Sequence, residues 1–88
     1  MSSYTVQFPR ANMTHAEKER AALTEAMDYL SAKQRDVLRT QIRSKDIRHI
    51  VRTVRFCCMV AGVRGYWPVR ALTRMVLQLN FPGKFELK

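Results

Sequence analysis

Two capping-box motifs mark helix starts in this chain, and they constrain its fold more than any other feature. The run "THAE" places Thr14 three residues before Glu17, and "SAKQ" repeats that spacing from Ser31 to Gln34. In such a box, two side chains satisfy backbone N–H groups that the first turn of a helix leaves unpaired. The sequence therefore predicts a first helix over about residues 15–30 and a second that starts at Ser31.

The remaining apolar residues continue this helical pattern. In the first helix one face carries Ala16, Leu23, Ala26, Met27 and Leu30. Ser44 would cap a third helix that begins near Lys45 and ends at Gly62 and Gly65, unless residues 31–61 form one long helix. A fourth helix, over about residues 68–80, is predicted to have Pro68 in its first position. It would bury Val69, Leu72, Val76 and Leu79.

The two ends of the chain are less constrained. Residues 4–8 ("YTVQF") and 84–88 ("KFELK") alternate apolar and polar side chains, so they could pair as a short antiparallel ribbon or remain unpaired tails. A chain of 88 residues with 47% apolar side chains can bury one modest core. We therefore expect one all-α domain of three or four helices over residues 1–88, with 1–13 and 81–88 as tails or short strands.

Positive charge is concentrated in the middle of the chain. The 16 Lys and Arg residues exceed the 7 Asp and Glu residues, which gives a net charge of +9. Between residues 31 and 74, the only acids are Asp36 and Asp46. A local excess of this kind is typical of a surface for nucleic acid, an acidic protein or an anionic membrane. Most of the basic residues are arginine, which suits two-pronged contacts to phosphate or carboxylate.

Helical spacing arranges many of these cations in rows. Arg35, Arg39 and Arg43 are spaced four residues apart, which predicts a straight row on the second helix, and Arg70 and Arg74 repeat that spacing on the fourth. On the third helix, Arg48, Arg52 and Arg55 fall along one flank of the predicted core face, with Lys45 just before them. That core face carries Ile47, Ile50, Val51, Val54, Cys57, Cys58 and Ala61. Rows of like charge cost free energy in an isolated helix, so they suggest an anionic partner that relieves the repulsion. The candidate residues for that partner are Arg35, Arg39, Arg43, Lys45, Arg48, Arg52, Arg55, Arg70 and Arg74.

Aromatic side chains lie among these cations. His49, Phe56, Tyr66 and Trp67 are residue types that stack on unpaired bases. Packing within the protein is the more common use of such residues, and Trp67 in a turn before a helix could cover a hydrophobic contact. Stacking and packing therefore both remain possible for these four residues.

One short segment has a counterpart in a known family. The run "LSAKQRDVL" at residues 30–38 resembles the first helix of the four-helix helix-turn-helix unit in region 4 of sigma factors. The resemblance covers nine residues, and no glycine turn with a second short helix follows at the family's distance. It implies a nucleic-acid-binding domain and identifies no functional residue.

Several kinds of chemistry lack the residues they need. Cys57 and Cys58 are adjacent and lie on the apolar arc, so we expect two free thiols of a reducing compartment rather than a disulfide or a metal site. His15 and His49 have no ligand spacing to them, and no glycine-rich phosphate loop occurs. The acids of the first helix alternate with Lys18 and Arg20, which indicates a solvated face rather than a metal cluster. We expect no cofactor and no enzymatic activity. The longest apolar run is too short to span a bilayer, and no signal peptide is evident, which favours a cytoplasmic protein.

Three functions compete on this basis. The first is a regulatory or accessory nucleic-acid-binding protein, with DNA favoured over RNA, and a homodimer would suit a two-fold DNA site. The second is a protein–protein interaction module, such as a small phage or mobile-element inhibitor or adaptor, that covers an acidic surface of a larger partner. The third, an amphipathic membrane binder, is weaker because the basic helices use their apolar faces for the core.

Overall fold

Four α-helices and one π-helical turn make up the fold of residues 13–85. A computed structural model of the protein describes residues 13–85. It contains α1 (His15–Tyr29), α2 (Ala32–Asp36) with a π-helical turn (Val37–Gln41) directly after it, α3 (Ile47–Ala61) and α4 (Tyr66–Asn80). The predicted all-α class is confirmed. No strand occurs within residues 13–85. Of the predicted terminal ribbon, residues 4–8 and 86–88 lie outside this range.

Both predicted capping boxes are formed. The Glu17 amide donates to Thr14 Oγ1 at 3.1 Å, and the Thr14 amide donates to Glu17 Oε1 at 2.8 Å. Ser31 and Gln34 repeat the pair of bonds at 3.1 and 2.9 Å. In the first box, the hydrogen bond from the Thr14 amide to the carboxylate of Glu17 holds the pKa of that carboxyl group below its ordinary value.

The segment between residues 31 and 61 is broken, so the single long helix is excluded. The break spans residues 42–46, and α3 begins at Ile47 with Asp46 as its cap, not near Lys45 with Ser44. Asp46 Oδ1 accepts a hydrogen bond from the Arg48 amide at 3.0 Å. Asp is as good a helix cap as Ser, and the sequence offers both within three residues.

A single side chain pins this break to the far end of α4. The Asn80 amide group donates to the carbonyl oxygens of Ile42 and Val76, at 3.1 and 2.8 Å. Its oxygen accepts from the Ser44 amide at 3.0 Å. Asn80 thereby satisfies backbone groups of a turn that has no secondary structure of its own.

Helix α3 ends as the glycine pattern predicts. Gly62 has φ +84°, and the Val63 amide reaches back to the Cys58 carbonyl at 2.9 Å. This Schellman motif satisfies carbonyls at the end of the helix, and it requires a left-handed residue that glycine adopts without strain. A Cβ at Gly62 would also lie 3.1 Å from the Tyr29 hydroxyl.

Helix α4 starts two residues before the predicted Pro68. Gly65 caps it, and Pro68 occupies the third helical position, where its missing N–H still costs no intrahelical bond. The helix lies at the centre of the fold, because α1, α3 and the π-helical turn all pack against it. Pro68 itself is buried.

The core draws on every helix except α2, which contributes no buried residue. Its buried apolar members are Ala22, Ala26, Leu30, Leu38, Ile42, Ile50, Val54, Cys58, Val63, Ala71, Leu72, Val76 and Leu77. Two predicted core residues, Ile47 and Leu79, are each 43% exposed. Ile47 lies in the first turn of α3 and Leu79 in the last turn of α4, where the neighbouring helices no longer cover them. None of the helices in this part of the chain has the length and apolar character to cross a bilayer.

Candidate anion-binding surface

The nine predicted basic residues fall into two groups. Arg35, Arg43, Arg70 and Arg74 have side chains that are hydrogen-bonded within the protein. Arg39, Lys45, Arg48, Arg52 and Arg55 are exposed, and residues 13–85 provide no side-chain hydrogen bond or ion pair for them. The first group connects parts of the fold, and the second is open to a partner.

Arg35 holds the C-terminal end of α1. Its Nη1 donates to the carbonyl oxygens of Met27 and Leu30, at 2.7 and 2.9 Å. The last carbonyls of a helix have no intrahelical partner and carry a partial negative charge, so a guanidinium stabilises them. Arg35 therefore joins α1 to α2.

The expected straight row Arg35, Arg39 and Arg43 does not form. The chain changes to π-helical geometry at Val37 and leaves the helix after Gln41, so α-helical spacing does not extend to Arg43. The Arg43 guanidinium folds back onto the carbonyl oxygens of Arg39 and Ile42, at 2.7 and 3.0 Å. It closes the end of the π-helical turn.

Arg70 and Arg74 converge on one buried carboxylate. Glu19 of α1 is 2% exposed and accepts from Arg70 Nε at 3.0 Å and from Arg74 Nε. The acids of α1 were expected to form a solvated face, and for Glu19 that expectation is wrong. A buried carboxylate needs charged or hydrogen-bonding partners, and the two arginines one turn apart on α4 supply them.

The same two arginines line a cleft between α3 and α4. Its volume is about 460 Å³, and its basic lining residues are Arg55, Arg70 and Arg74. Val51, Val69 and Leu77 form apolar parts of the wall. Glu19 pairs with Arg70 and Arg74 but does not line the cleft, and Arg55 has no acidic partner within residues 13–85, so the cleft keeps an excess of positive charge.

The bonds to Glu19 hold the guanidinium groups of Arg70 and Arg74 in place without using all of their N–H donors. Arg70 also donates from Nη1 to the Tyr66 hydroxyl at 3.2 Å, and Arg74 from Nη1 to the Phe85 carbonyl at 3.0 Å. A guanidinium has five N–H groups, so each arginine keeps donors for an anion in the cleft. Arginines already held in place lose less entropy when they bind.

The exposed cations of α3 lead into this cleft. Arg48, Arg52 and Arg55 follow each other at spacings of four and three, so they share one side of the helix. Arg55 is both the last member of this row and a wall of the cleft. We call Lys45, Arg48, Arg52 and Arg55 the α3 stripe. The stripe and the cleft together form a positive surface built from two helices.

The four candidate stacking residues differ in exposure. Trp67 is partly buried, with its ring 5.3 Å from His15 and 4.9 Å from Tyr66, and Lys18 Nζ lies 5.7 Å from its centre. It packs on the first turn of α1, which is the packing alternative raised by the sequence. His49, Phe56 and Tyr66 are exposed. The Arg70 guanidinium lies 5.8 Å from the Tyr66 ring.

The two thiols behave as parts of the core. Burial raises the pKa of Cys58 to about 11, and it raises the pKa of the less buried Cys57 as well. Neither thiol pairs with the other. Within residues 13–85, no group of three or more His, Cys, Asp or Glu side chains could hold a metal ion.

Glu19 and Asn80 are the structural residues that the sequence interpretation missed. A signal for Glu19 exists, since Ala22 and Ala26 lie three and seven residues after it on the same helical face. Both alanines are fully buried, so the face continues to Glu19. Asn80 has no comparable signal, because its partners lie 36 and 38 residues away.

Comparisons of the chain with protein-family models, with curated proteins and with solved structures give no match. The nine-residue resemblance to sigma-factor region 4 therefore stays local, and the surface has to be interpreted from its own chemistry.

Proposed function

We propose that this protein binds nucleic acid, with duplex DNA as the preferred form, through the α3 stripe and the adjoining cleft. The observation that carries the proposal is the division of the arginines. The fold uses Arg35, Arg43, Arg70 and Arg74 in internal bonds, whereas the stripe is exposed on one side of α3 and, at Lys45, in the turn just before it. Exposed cations without internal partners are free to contact phosphates.

The dimensions of the stripe suit a phosphate backbone. From Arg48 to Arg55 the helix rises by about 10 Å, a length over which one DNA strand carries about three phosphates. Helix α3 uses one face for the core and leaves the opposite face uncovered, and the major groove of DNA admits one helix.

The cleft gives this surface a preformed anion site. A phosphate next to Arg55 would also meet the remaining donors of Arg70, which Glu19 and Tyr66 hold in position. Contacts to phosphate position a protein on DNA without reading its sequence. In this proposal the protein acts by binding, in a regulatory or accessory role in the cytoplasm, and has no catalytic activity.

A salt titration of binding tests the proposal. Fluorescence anisotropy with labelled duplex DNA, single-stranded DNA and RNA gives the dissociation constant at several salt concentrations. Each phosphate contact contributes about 0.9 to the slope of log K against log salt for duplex DNA. The double variant Arg48→Gln/Arg52→Gln should lower that slope by about 2 and weaken binding to every sequence alike.

A variant with the same net charge provides the control. Arg20→Gln/Lys33→Gln removes two exposed cations from α1 and α2 instead of α3. It should keep the slope within about 0.5 of the wild-type value, because those side chains lie outside the stripe. Equal effects of the two double variants would show that only net charge matters, which would refute a binding surface on α3.

The alternative from the sequence, a module that covers an acidic protein surface with the same stripe, predicts a different outcome. In that case none of the three nucleic acids would bind at about 50 mM salt, where phosphate contacts are strong. That result would overturn the nucleic-acid proposal and leave an acidic protein as the partner of the stripe.

A further inference from the structure

The C-terminal half of α3 exposes apolar side chains that neither the core nor a phosphate backbone uses. Phe56, Met59 and Val60 are 60%, 69% and 68% exposed, and they lie within five consecutive residues of one helix. Single exposed apolar residues are ordinary, but a contiguous group of large ones marks an interaction site. We call Phe56, Met59 and Val60 the apolar patch.

An open apolar groove lies beside this patch. It has a volume of about 170 Å³ and lies between α3 and the α2–π-turn segment. Phe56 and Val60 of the patch are among its lining residues, and Gln34 is the one hydrogen-bonding side chain among them. The others are Leu30, Val37, Leu38, Cys57, Cys58, Ala61 and Leu72. A groove of this kind beside the apolar patch can receive the apolar face of a helix.

The groove and the basic cleft lie on opposite flanks of α3. At about 100° per residue, Arg55 and Val51 point towards the cleft side, whereas Cys57 and Ala61 lie on the other side of the buried Val54. The lining residues agree with this separation, because none is shared by the cleft and the groove. A ligand in the groove therefore leaves the lining of the cleft uncovered.

The charges around the patch favour an acidic partner protein over a second copy of this chain. Residues 47–85 contain no Asp or Glu. Two exposed cations lie beside the apolar side chains. Arg52 precedes Phe56 of the patch by one helical turn, and Lys33 precedes Val37 of the groove by one turn. Asp36, the nearest acid along α2, accepts hydrogen bonds from Thr40 and Gln41 of its own segment. A second copy of the chain would bring like charges together, whereas an acidic partner would be attracted.

From this geometry we propose that the apolar patch and its groove bind an acidic amphipathic helix of another protein. The apolar residues of that helix would fill the groove and cover Phe56, Met59 and Val60. Its carboxylates would face Lys33 and Arg52. Because Arg52 also belongs to the α3 stripe, the acidic helix and a nucleic acid would share that side chain. This partner goes beyond the function proposed above and does not depend on it.

Two synthetic helical peptides test this proposal. Both carry leucines at positions i, i+3, i+4 and i+7; one has glutamates on its remaining positions and the other has lysines. Fluorescence anisotropy of each labelled peptide, titrated with the protein, should show binding of the glutamate peptide and at least about tenfold weaker binding of the lysine peptide. Equal affinity for both peptides, or no binding of the glutamate peptide, would overturn the proposal.

Matched variants place the bound peptide on the surface. Val60→Glu adds a carboxylate within the patch at a side chain that is already mostly exposed, so the fold should tolerate it. It should weaken the glutamate peptide about tenfold or more, whereas Leu79→Glu, the same kind of change on exposed α4 surface, should not. If the two variants bind equally well, the peptide lies elsewhere and the proposal fails.

Cys57 supplies an independent readout, because it lines the groove and is partly exposed. Saturating glutamate peptide should slow alkylation of Cys57 about tenfold in the wild-type protein, since the occupied groove excludes the reagent. An unchanged alkylation rate would contradict occupation of the groove. Sedimentation of the wild-type protein without peptide should show a monomer; a dimer that Val60→Glu dissociates would assign the patch to a second copy and overturn the proposal.

Discussion

Replacing Glu19 by Gln should destabilise the domain far more than a surface substitution does. Glu19 is 2% exposed and is the one carboxylate that joins α1 to the arginines of α4. Glutamine keeps the shape of the side chain but removes its charge and puts two N–H donors where an oxygen accepted. One of the two arginines then loses its acceptor.

The exposure of the arginines sets the size of the effect. Removing one partner of a fully buried ion pair costs about 3–5 kcal/mol. Here the side chains of Arg70 and Arg74 are 44% and 25% exposed, so water replaces part of the lost interaction. We therefore expect a loss of about 2 kcal/mol, within the range for hydrogen bonds to charged groups. For a domain of this size, that loss lowers Tm by about 8–16 °C.

Thermal and urea unfolding, followed by circular dichroism, measure this loss. Glu25→Gln on the same helix is the control, because Glu25 makes no ion pair with any residue from 13 to 85; it should stay within about 0.5 kcal/mol of wild type. Arg74→Gln should also destabilise, and the double variant with Glu19→Gln should lose less than the sum of the two changes. A Tm for Glu19→Gln within about 2 °C of wild type would refute the reasoning, as would additive losses.

Three further predictions concern residues away from the stripe. Arg35→Gln should lower the free energy of unfolding by about 2 kcal/mol in urea titrations, because it removes a charged donor from two carbonyls at the end of α1; a change below about 0.5 kcal/mol would contradict its capping role. Asn80→Asp should cost about 2 kcal/mol in the same assay, since a carboxylate cannot donate to the Ile42 and Val76 carbonyls, and an unchanged midpoint would count against the pinned loop. In native protein at about pH 8, mass spectrometry should find alkylation at Cys57 long before alkylation at Cys58. Cys58 is buried and its pKa is about 11, so it has a smaller thiolate fraction and is less accessible to the reagent. Equal alkylation rates would contradict the burial of Cys58.

Local signals predicted most helix boundaries. The capping boxes at Thr14 and Ser31 depend on residues three apart, and Gly62 supplies the left-handed turn that ends α3, so neighbouring residues alone determine these features. The start of α3 was misplaced because Ser44 and Asp46 both suit a helix cap. The π-helical turn at Val37–Gln41 was missed, because propensity patterns do not distinguish it from an α-helix.

Helical periodicity predicted the exposure of the stripe but not the use of each arginine. Spacing places Arg48, Arg52 and Arg55 on one side of α3, and all three are exposed. The same spacing suggested a free pair at Arg70 and Arg74, whose partner Glu19 lies more than fifty residues earlier in the chain. A helical-wheel projection describes one helix at a time. It cannot show which acidic residue of a neighbouring helix is buried against that helix.

The central claim is that the α3 stripe binds an anion while the internally bonded arginines maintain the fold. The most direct measurement compares duplex-DNA affinity over a range of salt with the Tm, for Arg48→Gln/Arg52→Gln and for Arg35→Gln. We predict that the stripe variant keeps its Tm and loses about 2 from the salt slope, whereas Arg35→Gln loses Tm and keeps its slope within about 0.5 at a temperature where it is folded. Unfolding of the stripe variant, or an unchanged slope, would contradict the claim.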